Sequence, residues 1–418
     1  MSTSNQRQTT SNRKKTAKSS FAEVEEYLNR KFDFRLNEVS NTVEFRRIPE
    51  TTYEEVCEES IYRDIQLNGL NFSLSDVRAL LESDYVEKYD PIVEYMKNLP
   101  EWTEGKDEDH IKKLSSYVEA VDQDRFEVQF KKAFVRTVAC ALTKEYFNKH
   151  ALILVDAPTL PKITGQNMGK STFCRELCPP SLQHYYTEEF ATNKDGLIAL
   201  SENVIVNLDE LSVMGRAEIN QVKSFISKQK IKARPHYGRR AVLMVRRASF
   251  VGSTNNAEFL TDETGSVRWL CFEVQSIDWA YRKEVDIDLV WSQAYNLYHS
   301  GFDYNLTAEE IEENEKENQK HFVSTPELDL LQQYYQPAKE NEPGALFMTA
   351  TDVIDKIKDE SQTQSRLHDG KMGKALKALG FTKTQRYNGQ YQVKGYYLKP
   401  IEPNQPELED TEDGKVPF

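Results

Sequence analysis

"TGQNMGKSTFCREL" (164–177) is the stretch that decides the fold. The apolar run "ALILVD" (151–156) precedes it and predicts a buried strand. Gly169, Lys170 and Ser171 stand where a helix would begin. Strand, glycine-containing loop and helix, in this order, are the context of a P-loop, whose backbone N–H groups surround phosphates while its lysine and hydroxyl reach phosphate and magnesium. The sequence therefore predicts a site for ATP and Mg²⁺.

The loop departs from the Walker A pattern G-x-x-x-x-G-K-[ST] at one position. Thr164 stands where the first glycine is expected, and Gly165 comes one residue late. We predict that the residues contacting ATP lie on both sides of the helix start: Gly165, Asn167, Met168, Gly169, Lys170, Ser171 and Thr172. The alternative is a chance "GKST" at the start of an ordinary helix.

A second motif follows in the order that a P-loop ATPase requires. "NVIVNLDE" (203–210) is an apolar run that ends in two carboxylates. Magnesium prefers oxygen ligands, so Asp209 is predicted to hold the metal together with Ser171. Glu210 is predicted to orient the attacking water. Alone, this pattern would also suit the end of a surface strand.

Two further side chains are candidates for catalysis. "ASFVGSTNN" (248–256) predicts a strand ending in amides. This would place Asn255, as a sensor of the γ-phosphate, between the strand before the Walker A loop and the strand that ends in Asp209-Glu210, the Walker B motif. Arg268, in "TGSVRWL", is a candidate to neutralise charge on the transferring phosphoryl group, often from a neighbouring subunit. The alternatives are a strand-end turn for Asn255 and an ordinary strand arginine for Arg268.

Positive charge is concentrated in one segment of an acidic chain. The 39 residues between Glu218 and Glu258 contain no acid and nine Lys or Arg, although the net charge of the chain is −13. Within them "KQKIKARPHYGRRAVLMVRR" predicts a β-hairpin whose basic and tyrosine side chains suit a phosphate backbone with a stacked base. The predicted DNA-binding residues are Lys230, Lys232, Arg234, His236, Tyr237, Arg239 and Arg240. A solvated basic face is the alternative.

The last folded part has the outline of a winged helix. Two helix patterns precede "TKTQRYNGQYQVKGYYLKP", which alternates around Asn388-Gly389 like a hairpin. Lys371 and Lys374 lie on the second helix pattern, where a recognition helix would meet a DNA groove. Winged helices also serve as protein contacts, and this alternative stays open.

Together these patterns predict an α/β protein built around an AAA+ P-loop ATPase core. Helical patterns at 108–120 and 125–149 belong to a mostly helical region ahead of the core. We divide the 418 residues as follows: 1–19 disordered basic arm, 20–149 helical N-terminal domain, 150–322 AAA+ ATPase domain, 323–400 winged-helix-like domain, 401–418 disordered acidic tail.

The composition bears on where the protein works. Its five cysteines are scattered, which is typical of a reduced cytoplasmic protein. The basic N-terminal arm has no apolar core, so we expect no signal peptide. Apolar runs are only a few residues long, so we expect no membrane segment and no membrane partner.

Longer stretches resemble a known family. "YDPIVEYMKNLPEWTEGKDEDHIKKLSSYV", "GKSTF", "VNLDELS", "EINQVKSFISKQKIKARPHYGRR" and "FVGSTNNAEFLTDETGSVRWLCFEV" are similar, in this order, to the virulence-associated protein E family, the superfamily 3-like AAA+ helicases of prophages and mobile genetic islands. The resemblance covers about residues 85–280 and, more loosely, 30–85. It implies a replication helicase that assembles as a hexamer, with ATP sites between subunits and Arg268 acting in trans.

The resemblance implies single-stranded or forked DNA as the partner, and it implies that the basic hairpin lines a central channel. Many relatives carry a primase domain ahead of the ATPase, whereas no polymerase-like carboxylate cluster is visible here, so we expect a separate primase or host replication proteins as partners. Our prediction is an ATP-dependent DNA helicase or replication initiator of a mobile element. The alternatives are a nucleotide-regulated DNA-binding initiator or regulator that does not unwind, and a defence or packaging ATPase.

Overall fold

The structure is a computed structural model that describes residues 18–158, 168–209, 211, 214–234, 241–260, 266–361, 363, 365–387 and 389–401. The chain divides into two compact units, 1–321 and 322–418. All but the last two residues of the predicted basic arm, and all but the first residue of the predicted acidic tail, lie outside the described residues. In the described part, no helix is both long and apolar enough to cross a membrane.

The first unit begins with a small α/β layer. Its elements are α1 (Phe21–Lys31), β1 (Phe32–Asn37), β2 (Thr42–Arg47), β3 (Glu54–Glu55), α2 (Glu58–Leu67), α3 (Leu74–Leu81) and β4 (Glu87–Tyr89). The sheet order is β3-β2-β1-β4, with β1 and β2 antiparallel and β1 and β4 parallel. Ser20 and Glu23 close a capping box at the start of α1, and the helix buries Val24 and Leu28 on its inner face.

A six-stranded sheet forms the centre of the first unit. The elements up to its middle are α4 (Pro91–Lys97), α5 (His110–Ser115), β5 (Val118–Ala120), α6 (Gln123–Leu142), β6 (Ala151–Asp156), α7 (Lys170–Glu176), a 3-10 helix (Pro180–Tyr185), β7 (Tyr186–Thr187), α8 (Lys194–Glu202) and β8 (Ile205–Leu208). The remaining elements are α9 (Arg216–Ile226), β9 (Ile231–Ala233), β10 (Val242–Met244), β11 (Ser249–Thr254), a 3-10 helix (Ser266–Arg268), β12 (Trp269–Ile277), α10 (Tyr281–Glu284), α11 (Ile287–His299), α12 (Ala308–Asn318) and a 3-10 helix (Gln319–His321).

The strand order is β5-β12-β6-β11-β8-β7. The five strands from β12 to β7 are parallel, and β5 is added antiparallel at the edge. β6 is buried along its first five residues, as expected for a parallel strand covered on both faces. On one face, α6 packs a row of aromatic rings, Phe126, Phe130 and Phe134, into the core.

The helical prediction for 108–120 was wrong in its second half. The helix ends at Ser115, and Val118–Ala120 is a strand that pairs with the end of β12. Its residues are buried, exposed and buried in turn, which is the period of a strand with one covered face. Only the free edge of β12, which is distant in sequence, makes this pairing available. The helix predicted over 125–149 is also shorter at its end than expected, because it begins at Gln123 and ends at Leu142.

The second unit is a three-helix layer with an antiparallel sheet. Its elements are α13 (Pro326–Tyr334), β13 (Tyr335–Pro337), β14 (Leu346–Met348), α14 (Ala350–Ser361), α15 (Asp369–Ala378), β15 (Lys383–Tyr387) and β16 (Gln392–Pro400). The long strand β16 pairs with β13, β14 and β15. The helices bury apolar side chains such as Leu331, Ile357 and Leu376 in a core of their own.

We predict that Gly252 is needed for close packing of the central strands. A Cβ at this position of β11 would lie 2.7 Å from the carbonyl oxygen of Leu208 and 3.1 Å from Cδ1 of Ile153. Gly252→Ala should therefore lower the free energy of unfolding by about 1–3 kcal/mol. Urea unfolding followed by tryptophan fluorescence measures this, because all four tryptophans belong to the first unit.

Gly215→Ala is the matched control. Gly215 has a φ of −69°, and the nearest atom to its Cβ position is 3.6 Å away. We expect a change of less than about 1 kcal/mol. Equal effects of the two substitutions would contradict the packing explanation.

Candidate functional site

Three strand ends and one helix start meet at the carboxyl edge of the six-stranded sheet. β11 lies between β6 and β8, and Thr254 is in register with Val155 while Gly252 is in register with Leu208. The residues that follow these positions on the three strands therefore lie side by side. α7 begins against them at Lys170. In open α/β sheets this edge is where ligands bind.

Lys170 is the central side chain of this edge. It is 4% exposed, and its ammonium group forms an ion pair with Asp156 at the end of β6. The same Nζ donates a hydrogen bond to Oδ1 of Asn255, at 2.9 Å. A buried ammonium group needs such partners because an unpaired buried charge is very unfavourable. The structure thus brings together the predicted P-loop lysine and the predicted sensor asparagine.

Ser171, Asp209 and Ser253 form a second, adjoining cluster. The Ser171 hydroxyl donates to Oδ1 of Asp209 at 2.5 Å, and the Ser253 hydroxyl donates to the same oxygen at 2.9 Å. The two serine hydroxyls are 2.9 Å apart. The predicted pair of metal ligands, Ser171 and Asp209, is therefore in direct contact. Its donors are hard oxygens, which is the ligand type that magnesium prefers.

Gly169 is required by both its conformation and its surroundings. It caps α7 with a φ of +90°, in the left-handed region that favours glycine. A Cβ added to it would lie 2.3 Å from a ring carbon of Trp279. The glycine before Lys170 is therefore fixed by a tryptophan that packs against its backbone.

The other predicted ATP contacts divide between described and undescribed positions. Met168 is partly buried and packs on the main core, and Thr172 is partly buried in the first turn of α7. Gly165, Asn167 and the predicted catalytic Glu210 lie outside the described residues.

Arg268 lies at the opposite edge of the sheet. It directly precedes β12, whose first residue is in register with Ala151 at the start of β6. The start and end of β6 are about 17 Å apart at 3.3 Å per residue. The Arg268 guanidinium donates through Nε to the Ser227 hydroxyl at the end of α9. Within one chain, Arg268 is thus separated from Lys170 by the length of a strand.

The predicted basic hairpin is present as an antiparallel pair, β9 with β10. Lys230, Lys232 and Arg234 are exposed on its first strand and the residues beside it. The hairpin tip, with His236, Tyr237, Arg239 and Arg240, lies outside the described residues. The pair leads into the amino end of β11 and therefore starts at the sheet edge opposite to Lys170.

Part of the charge counted in the basic segment is not on the surface. Lys223, Arg246 and Arg247 are 7%, 1% and 8% exposed. Arg247 pairs with Asp90 at 2.5 Å, and the Arg246 guanidinium lies 5.4 Å from the ring centroid of Phe250. These side chains stabilise the fold, so the basic surface is smaller than the sequence suggests.

In the second unit, Lys371 and Lys374 are exposed on α15. They lie on the face of this helix opposite to Met372 and Leu376, which are fully buried. The two lysines are three positions apart in the sequence, so they are neighbours on the helix surface.

Three residues of the carboxyl edge were missed in the sequence. Asp156 and Ser253 contact Lys170 and Asp209, and Trp279 contacts Gly169. The signal for Asp156 is a single carboxylate at the end of an apolar run, which also fits an ordinary strand end. Ser253 and Trp279 carry no local signal, because their contacts depend on which strands adjoin β6.

The family model of the virulence-associated protein E-like domain matches residues 96–360. The chain belongs to this family. The matched part begins in α4 and ends in α14, so it includes the cluster around Lys170, the basic hairpin and Arg268. The resemblance stated from the sequence is confirmed. No curated protein matches the chain.

Among solved structures, the chain is similar to the apo structure of the NrS-1 C-terminal region (305–718). The TM-score is 0.46 at 10% identity, covering 89% of this chain and 97% of the other. A second structure, the A form of the apo NrS-1 C-terminal region, gives a TM-score of 0.41 at 12% identity, covering 73% of this chain and 72% of that one. At these values neither structure indicates what this chain binds.

We predict a pH-dependent stability that originates at His150, which holds the backbone next to Arg268. Its Nδ1–H donates to the carbonyl oxygen of Val267 at 2.9 Å. Burial lowers the pKa of His150 to about 3. The unfolded chain gains a proton below a pH of about 6.5 and the folded chain does not, so stability is present above that pH and is lost as the pH falls. Between pH 6.5 and 5, the loss from this group should be about 2 kcal/mol.

Urea unfolding of the wild type and of His150→Gln at pH 7 and pH 5 tests this. The wild type should lose about 2 kcal/mol more than the variant. His321, whose pKa burial also lowers, is present in both proteins and cancels in the difference. Equal losses would show that His150 is not held neutral.

Proposed function

We propose that this protein is an ATP-dependent DNA helicase and replication initiator of a prophage or other mobile genetic element, acting as an oligomeric ring. The observation that carries the proposal is the joint cluster at the carboxyl edge of the sheet. There Lys170 meets Asn255, and Ser171 meets Asp209, from a helix start and two adjacent strands. This is the set of groups that a P-loop ATPase needs for phosphate, sensor and magnesium.

In this proposal ATP lies with its phosphates at the start of α7, where free backbone N–H groups and the helix dipole favour negative charge. The Lys170 ammonium exchanges Asp156 for the β and γ phosphates. Since Asp156 is the ion-pair partner of Lys170 in the structure described, phosphate binding requires this contact to open. Asn255 accepts a hydrogen bond from the same Nζ, so in this proposal it would lie next to the γ-phosphate.

Magnesium would be held by the Ser171 hydroxyl and by Asp209. The fit is supported by their direct contact and by the hard oxygen donors. Among the described residues, no group of three His, Cys, Asp or Glu side chains forms a metal cluster. Mg²⁺ usually takes only one or two carboxylates and completes its shell with phosphates and water, so the donor set suits it. When bound, the metal would neutralise negative charge on the phosphates. Glu210, next in the chain, would orient the water.

The sheet topology supports the AAA+ assignment. The strand of the sensor lies between the strands of the two Walker motifs, and the strands are parallel. The position of Arg268 supports an oligomer. Because it lies about a strand length from Lys170, at the opposite sheet edge, it reaches a nucleotide only across a subunit contact. We propose a ring, with a hexamer as the expected size, in which Arg268 neutralises charge in the neighbouring site.

DNA binding is assigned to the hairpin formed by β9 and β10. Lys230, Lys232 and Arg234 present positive charge beside the tip that contains Tyr237, which suits a single strand with stacked bases. The second unit supports a winged-helix assignment through its order of helix, two strands, two helices and β-hairpin. In that assignment α15, with Lys371 and Lys374, is the recognition helix.

A second candidate function is a DNA-binding initiator in which nucleotide controls assembly without unwinding. Thr164, at the position of the first Walker glycine, is the feature that favours it. ATPase assays with and without single-stranded DNA, followed by a strand displacement assay on a forked duplex, separate the two candidates. DNA-stimulated hydrolysis with unwinding supports the helicase, and ATP binding without either supports the switch.

We predict that Glu210→Gln abolishes hydrolysis and keeps ATP binding, because the glutamine holds the same volume but cannot act as a base. Turnover should fall at least about 100-fold. Lys170→Ala should abolish ATP binding, since its ammonium group is the main phosphate ligand. Glu82→Gln, an exposed acid of the N-terminal region, is the control and should behave as the wild type. Turnover of Glu210→Gln near the wild-type rate would overturn the assignment.

We predict that Lys232→Ala combined with Arg234→Ala weakens single-strand DNA binding. If both side chains contact phosphates, the slope of log affinity against log salt should fall by about 1.4 in magnitude, at 0.7 per contact. Arg239→Ala with Arg240→Ala should have the same effect at the hairpin tip. None of these substitutions should change ATP affinity.

The matched control is Lys88→Ala with Lys97→Ala, which removes two exposed lysines of the N-terminal region. Fluorescence anisotropy of a labelled oligonucleotide at several salt concentrations measures both variants. A loss of the same size in the control would mean that the hairpin contributes only net charge.

A further inference from the structure

Trp279 occupies an unusual place for a tryptophan. It follows β12 and lies against the backbone of Gly169, where an added Cβ would be 2.3–3.1 Å from three of its ring atoms. Although it touches the cap of α7, 42% of Trp279 is exposed. Trp269 and Trp291, by contrast, are completely buried. A large aromatic ring exposed at the edge of a phosphate site is a typical contact for a ligand with an aromatic part.

The indole is held in place by its neighbours. The Arg282 guanidinium lies 4.7 Å from its ring centroid, and the ring of Tyr281 is stacked at 6.5 Å with an angle of 23°. Both neighbours are tied to α7 through Glu176, which pairs with Arg282 and accepts a hydrogen bond of 2.6 Å from the Tyr281 hydroxyl. The ring is thus fixed to the helix whose start would hold the phosphates, and little ordering is needed when a ligand binds.

A cavity with room for a nucleoside lies next to the two residues that hold this ring. It has a volume of about 480 Å³ and is lined by Phe173 and Glu176 of the second half of α7 and by Tyr281 and Arg282, the neighbours of Trp279. In a nucleoside triphosphate, one ribose separates the base from the α-phosphate. A triphosphate seated on the first turn of α7 therefore brings its base to the side chains that flank this turn, and Trp279 is the exposed aromatic ring there.

We propose that Trp279 is the base-stacking residue of the nucleotide site and that it selects purine nucleoside triphosphates. This proposal rests on the proposed nucleotide site at Lys170. Stacking on an aromatic ring needs only the π-face of the base, so adenine and guanine should both bind. The larger ring system of a purine covers more of the indole than a pyrimidine does, so ATP and GTP should bind more tightly than CTP and UTP.

The first test compares ATP with inorganic tripolyphosphate, both with Mg²⁺, by isothermal titration calorimetry on the full chain. Tripolyphosphate has the phosphates and lacks the base. For Trp279→Ala we expect ATP affinity to fall about tenfold, the range for loss of one base stack, while tripolyphosphate affinity stays unchanged. Trp279→Phe keeps a ring and should retain most of the ATP affinity. Tyr387→Ala removes an exposed aromatic ring of the second unit and serves as the control.

The second test uses the fluorescence of Trp279 itself. ATP should quench the tryptophan emission of the wild type, tripolyphosphate should quench it less, and Trp279→Phe should abolish the difference. If Trp279→Ala loses the same factor in affinity for ATP and for tripolyphosphate, the indole only supports the backbone at Gly169. This result would overturn the proposal. Unchanged ATP affinity in that variant would overturn it too.

The same titrations separate this proposal from the proposed function. If the wild-type protein binds tripolyphosphate and ATP equally well, it has a phosphate site without base recognition. This result refutes the proposed role of Trp279 and leaves the proposed function standing. Wild-type protein that binds neither has no nucleotide site, which refutes both. Lys170→Ala should bind neither ATP nor tripolyphosphate. Trp279→Ala should lose only the part of the ATP affinity that the base contributes.

Discussion

The burial of one ammonium group constrains the whole first unit. Lys170 is almost completely enclosed, and an enclosed cation without partners would cost several kcal/mol. Its partners, Asp156 and Asn255, come from the ends of two different strands. They meet the lysine only if β6 and β11 are adjacent, parallel and in the observed register. The buried Lys170 ammonium thus obtains its polar partners only through this strand order.

The helices before β6 and after β12 are tied to the same sheet. Arg125 of α6 donates to the carbonyl oxygen of Cys271 in β12 at 3.1 Å and to Asn314 of α12 at 2.8 Å. The Lys132 ammonium, on the same helix, pairs with Glu310 at 2.8 Å. The predicted boundary at 149/150 falls between α6 and β6, inside this unit. Helix α6, before β6, and helix α12, after β12, therefore hold the sheet from outside and contribute to its order.

The two edges of the sheet separate the proposed chemistry from the proposed contacts with neighbours and DNA. Lys170 and Asp209 lie at the carboxyl edge, whereas Arg268 and the base of the basic hairpin lie at the amino edge. This separation follows from the parallel strands, whose like ends must meet at the same edge of the sheet. A ring in which one subunit's amino edge faces the next subunit's carboxyl edge would join the two functions.

The sequence by itself determined the local features. The apolar run 151–156, the helix start at Lys170, the strand that precedes Asp209 and the pairing of β9 with β10 are all indicated by the sequence. Periodicity, glycines and strand-end polar residues are encoded within a few consecutive positions. The family was also recognisable, since these motifs occur in a fixed order. Each of these features is a property of neighbours in the chain.

Only the tertiary structure decided which of these features meet. The pairing of Val118–Ala120 with β12, the contacts of Asp156 with Lys170 and of Trp279 with Gly169, and the burial of Arg246 depend on elements far apart in sequence. No pattern in the local sequence shows when a distant segment will supply a pairing strand, a counter-charge or an aromatic ring that covers a residue. The physical reason is that pairing and burial belong to the assembled sheet and its covering helices, whereas propensity and period belong to the segment itself.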